Sequence, residues 1–83
     1  MRKLEEIRND ISLIDIKMRD LFIERMKYVK EVKAYKQQNN LEIEDKKREE
    51  YMKSLYSKDL KEYKEEYILL LEKILELSKN SMK

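Results

Sequence analysis

Not one glycine or proline interrupts the 83 residues of this chain. These two residues stop helices more strongly than any others, proline through its missing N–H and ring clash, glycine through backbone entropy. A chain without them, rich in Leu, Lys, Glu and Met, reads as helix except where polar, turn-prone residues cluster. Apolar side chains then set the pattern. In the first segment they stand at Leu4, Ile7, Ile11, Ile14, Met18, Leu21, Tyr28, Val32 and Tyr35. Alternating steps of three and four make this a heptad seam, running from about residue 3 to Gln37. Such a helix is roughly 50 Å long. A compact globule of this length has a radius of gyration of about 12 Å and is about 30 Å across. The helix must therefore protrude, and its seam needs a partner.

The breaks are few. Residues 37–40, QQNN, form the one polar, turn-prone patch between apolar runs, so the first helix is expected to end there. A second helix is expected from Glu44 or Asp45 to about Tyr56, with acids in its first turn. Ser57-Lys58-Asp59 reads as a second break, with Ser57 or Asp59 as N-cap of a third helix. That helix runs to about Ser81 and carries Leu60, Tyr63, Tyr67, Leu70, Leu71, Ile74, Leu75 and Leu77 on its apolar face. The last turn, close to the final residue, is expected to fray. There is no internal repeat and no linker. The expected architecture is a single all-α domain over residues 1–83, with long, short and medium helices in that order.

Composition removes several functions. Cys and His are absent, and with them the usual zinc ligands, thiol nucleophiles and imidazole bases. Without Gly there is no phosphate-cradling loop. The 20 basic and 18 acidic residues nearly cancel, to +2, which argues against a dedicated nucleic-acid binder. No apolar run reaches the length of a membrane span, and MRKLEEIRND has no apolar signal core. A soluble, cytoplasmic protein without metal or cofactor is the expectation.

Polar residues nevertheless enter the apolar faces. With Leu4 at heptad position a, Arg25 also falls at a, in the middle of the seam, while Arg8 and Lys36 flank it at e. Snorkelling and register-setting explain such residues in many coiled coils. A buried guanidinium still requires an anion, which Asp45, Glu49 or a ligand carboxylate could supply. Asp45, Arg48 and Glu49 share one helical face that continues into Met52, Leu55 and Tyr56. An intrahelical ion-pair ladder is the plain reading of that trio. Ser78 continues the stripe of Tyr67, Leu71 and Ile74, where bonding to its own helix backbone is the plain reading. The convergence carries more weight than any one position. Three segments place polar groups where packing favours apolar ones, and four of these groups are cations: Arg8, Arg25, Lys36 and Arg48. Such a set suits a small, multiply anionic ligand inside a helical bundle.

The spacing of these blocks resembles the AroQ-type, all-helical chorismate mutases over nearly the whole chain. LEEIRNDISLID at 4–15 matches the pattern LxxIRxxIxxID. Glu24, Arg25, Val32 and Lys36 match ERxxxxxxVxxxK, and Asp45, Arg48 and Glu49 match DxxRE. The family's closing serine corresponds to Ser78, but its glutamine four residues later is Met82 here. The resemblance implies an intertwined homodimer in which Arg8 reaches across to the partner's site. It implies that Arg8 and Arg25 clamp the carboxylates of chorismate and that Lys36 donates to the ether oxygen of the breaking bond. It further implies that Glu49 accepts from the ring hydroxyl, helped by backbone near Asp45. Arg48 and Ser78 would complete the polar shell, with Val32 and Leu75 as apolar walls and Met82 bordering the substrate.

The implied reaction, chorismate to prephenate, is an intramolecular rearrangement with no proton transfer and no nucleophile, so the lack of His and Cys is no obstacle. The protein's tasks are to hold a reactive conformer and to stabilise negative charge growing on the ether oxygen. A thioether at position 82 cannot donate a hydrogen bond there. Three readings compete. An isochorismate pyruvate lyase would use the same fold, a non-catalytic helical interaction module would tolerate Arg25→Leu, and a nucleic-acid-binding hairpin would show steep salt dependence.

Overall fold

The computed structural model describes residues 1–83, with three α-helices and no strands. Helix α1 spans Leu4–Gln38, 35 residues. Glu5 and Glu6 lie in its first turn and Lys36 in its last, each opposite in sign to the helix-end dipole it faces. Its end is a Schellman turn. Leu41 N–H donates to the Lys36 carbonyl at 2.8 Å and Asn40 N–H to the Gln37 carbonyl at 3.4 Å. Asn40 takes the left-handed position, φ 56°, that such a turn requires. The expected break at QQNN is thus made chiefly by its last residue.

Helix α2 spans Lys46–Ser57, and Asp45 is its N-cap, the carboxylate accepting from Arg48 N–H at 3.1 Å. Helix α3 spans Lys64–Met82. Neither Ser57 nor Asp59 caps α3, contrary to expectation. Ser57 closes α2 instead: its hydroxyl donates to the Lys53 carbonyl at 2.5 Å, and the residue is buried. Ser57 is the last residue of α2, and α3 begins only at Lys64, so both Ser57 and Asp59 lie too far ahead of its first turn to cap it. The chain from Lys58 to Glu62 is turn and bend, and α3 is entered through Tyr63 in a left-handed conformation, φ 61°. Leu60 and Tyr63 therefore lie outside α3 rather than on its face. Nor is the last turn frayed, since Met82 is helical and buried against α1.

Packing is concentrated on α3, which lies against both α1 and α2. Met52 of α2 packs with Leu71 and Leu75 of α3, and Tyr67 closes one side. Toward α1, the buried residues are Val29 and Met82. The side of α1 that meets α3 carries Phe22, Arg25, Met26, Val29, Lys33 and Lys36, all at least half-buried. Apart from Arg25, none of these belongs to the heptad seam. The seam itself stays open: Leu4, Ile11, Ile14, Met18 and Leu21 are all exposed, as is every residue from Met1 to Leu21. The radius of gyration is 16.3 Å and the long dimension 56 Å. The first half of α1 thus projects from the rest, as its length requires.

Candidate active site

Arg25 leaves α1 toward α3, where its guanidinium donates to the Ser78 hydroxyl at 2.5 Å. Ser78 is buried and passes the interaction on, donating to the Ile74 carbonyl one turn back at 2.8 Å. The backbone bond expected of a core serine and the contact expected of a site residue are therefore both present. Neither Asp45 nor Glu49 pairs with Arg25. Asp45 is committed to capping α2. Glu49 is bridged by Lys79 of α3, Nζ to Oε1 3.1 Å, and the same ammonium lies 3.5 Å from Glu44. The hydrogen bond that Lys79 donates to Glu49 raises the pKa of Lys79, reinforced by the charges of Glu49 and Glu44 and opposed by partial desolvation. The stabilisation from that raised affinity is complete below the ordinary lysine range and fades as pH climbs through the folded-state value.

Lys36, at the last turn of α1, donates from Nζ to the Ile43 carbonyl at 2.7 Å. The segment between α1 and α2 is therefore held from two sides, by Lys36 on Ile43 and by Lys79 on Glu44. Lys36 has no carboxylate partner. An open recess beside it is lined by Tyr28, Glu31, Val32, Tyr35 and Leu41.

These residues belong to one surface of α1, with α2 entering at its first turn and α3 at its last two. The resulting set is a half-buried guanidinium anchored by a hydroxyl, a half-buried ammonium on a backbone carbonyl, and a carboxylate fixed by a third cation. A sequence model of the chorismate mutase type II family matches residues 7–83. The chain belongs to that family. No curated protein and no solved structure matches it.

Chorismate mutases are isomerases, and each residue that the resemblance singles out can be located here. Arg25 and Ser78 are bonded to each other, and Lys36 and Val32 line one recess. Leu75 lies in the core with Met52 and Leu71 rather than at an open wall. Arg8 lies in the exposed, projecting half of α1, far along the helix from Arg25. Arg48 is exposed, with only its backbone N–H engaged. Met82 faces a small cavity with Met26, Val29, Lys30, Lys33 and Ser81. The sequence reading missed Lys79 and Glu44. A lysine in the last turns of a helix reads as solvated, and nothing in its spacing reveals a carboxylate on another helix.

Proposed function

We propose that the chain converts chorismate to prephenate by intramolecular rearrangement, as an intertwined homodimer in which Arg8 of each chain completes the partner's site. The carrying observation is the state of Arg25. It is half-buried, held by a neutral hydroxyl, and the two acids that could have neutralised it are engaged elsewhere. A guanidinium so placed favours a carboxylate ligand, which the enolpyruvyl arm or the ring of chorismate provides.

In this reading Arg25 and the partner's Arg8 bind carboxylates and fix the arm over the ring. Lys36 exchanges its bond to the Ile43 carbonyl for the ether oxygen, where negative charge grows as the carbon–oxygen bond breaks ahead of carbon–carbon bond formation. A preorganised ammonium there stabilises the transition state more than the ground state. Glu49 accepts from the ring hydroxyl, and Arg48, Asp45 and Val32 line the cavity. Prephenate formation would serve phenylalanine and tyrosine synthesis in the cytoplasm. No helix is long and apolar enough to cross a membrane.

Purified protein is expected to consume chorismate, read as loss of its ultraviolet absorbance, with prephenate as product. Isochorismate in a parallel assay is expected to release no pyruvate. Pyruvate release without chorismate turnover would replace the mutase by the lyase, and inertness toward both would leave only a helical interaction module.

A further inference from the structure

Ser78 and Lys79 are consecutive on α3, yet they reach different helices. Ser78 receives the Arg25 guanidinium from α1, and Lys79 bridges the Glu49 carboxylate of α2. Most ion pairs of the chain have at least one well-exposed member; Arg19–Asp20, for example, is 67% and 65% exposed and gains little from pairing. Lys79–Glu49 is the exception, at 29% and 17%. The ammonium also spans to Glu44 in the segment before α2. Lys46, Glu50 and Lys53 of α2 border the same recess, but Lys53 is directed to Glu50 and Glu72. Lys79 is thus the one cation bonded to Glu49.

A carboxylate on the first turn of a short helix has free side-chain torsions, and ordering it when substrate binds opposes binding. A cation already bonded to one of its oxygens removes that freedom and leaves the other oxygen to accept. We propose that Lys79 is a positioning residue for the mutase reaction, holding Glu49 so that its carboxylate receives the ring hydroxyl of the substrate. The proposal rests on the mutase reading above. It assigns α3 a double role: through adjacent residues it sets both the cation that grips carboxylate and the anion that grips hydroxyl.

The test is a double-mutant cycle on kcat and KM with chorismate, using Lys79→Met, Glu49→Gln and both together. Lys79→Met is expected to raise KM about tenfold and to leave kcat within about threefold, because a hydroxyl contact serves ground and transition states alike. In the Glu49→Gln background, Lys79→Met is expected to add no further rise in KM. Lys79→Arg, which keeps charge and donor, is expected to restore KM. If Lys79→Met does not fold, Lys79→Gln replaces it in the same cycle. Additive effects of the two substitutions, or a fall in melting temperature with KM unchanged, would overturn the proposal. A second readout needs no substrate. Titration of the Lys79 side chain by NMR is expected to move to lower pH in Glu49→Gln, and no movement would remove the bridge on which the role depends. Wild-type protein inert toward chorismate overturns the mutase reading and the positioning role together, while the titration still reports the bridge.

Discussion

Met82 is the position where residue chemistry and site geometry pull apart. Its thioether sits in a mostly apolar cavity with Met26 and Val29, one turn beyond Ser78, and is itself buried. That placement suits packing, but a thioether has no proton to give. An oxygen developing charge loses about 10²–10³ in rate when one of its donors is missing. Met82→Gln is therefore expected to raise the turnover number while lowering stability by about 1 kcal/mol, because an amide must enter a mostly apolar cavity. Steady-state kinetics and a melting curve measure both; an unchanged or reduced kcat would show that position 82 does not reach the reacting oxygen. At this scale the sequence displayed Arg25, Lys36 and Ser78 as interruptions of apolar stripes, and the structure joins Arg25 to Ser78 across two helices. It could not display Lys79, because a charge on a polar helix face looks the same whether or not an acid lies opposite.

Helix ends are governed by a different economy of interactions. Of the two connections between helices, the first agrees with expectation because its chemistry is local: Asn40 can adopt the left-handed conformation, and Asp45 carries the carboxylate that caps α2. The entry to α3 was not legible. Ser57 has the side chain of a cap but is buried and bonded back to Lys53, and Tyr63, an unfavourable residue for positive φ, makes the turn instead. The second stripe of α1, Phe22, Met26 and Val29, was also present in the sequence at helical spacing, hidden beside a longer seam. Asn40 offers the sharpest test. Its amide-bearing side chain tolerates the left-handed region, whereas alanine there costs about 1–2 kcal/mol. Asn40→Ala is expected to lower Tm by about 4–8 °C per kcal/mol lost, and Asn40→Gly to hold or raise it. A Tm unmoved by alanine would mean that the segment between α1 and α2 does not depend on this turn.

For the whole molecule, the question is what covers the seam. Five apolar side chains are buried within the chain, and no large side chain is wholly enclosed, while the projecting half of α1 exposes a row of Leu, Ile and Met. That core is thin for a chain of this size, and a row of this kind is stable in water only against another apolar surface. In the homodimer proposed above, a second copy would supply the matching seam by symmetry, and an isologous pairing would carry Arg8 of each chain toward the other chain's Arg25 and Lys36. The pairing has a consequence that a monomer cannot imitate. Arg8→Ala and Lys36→Ala are each expected to be folded and nearly inactive, one lacking a carboxylate clamp and the other the ammonium at the ether oxygen. Unfolded together and refolded as a mixture, they form mixed dimers with one intact site, made of Lys36 from the first variant and Arg8 from the second. Activity is then expected to return to about a quarter of the wild-type value, because half of the randomly paired dimers are mixed and each has one working site. If Arg8 served its own chain's site, every site in every mixed dimer would carry a defect, and the mixture would stay as inactive as its components.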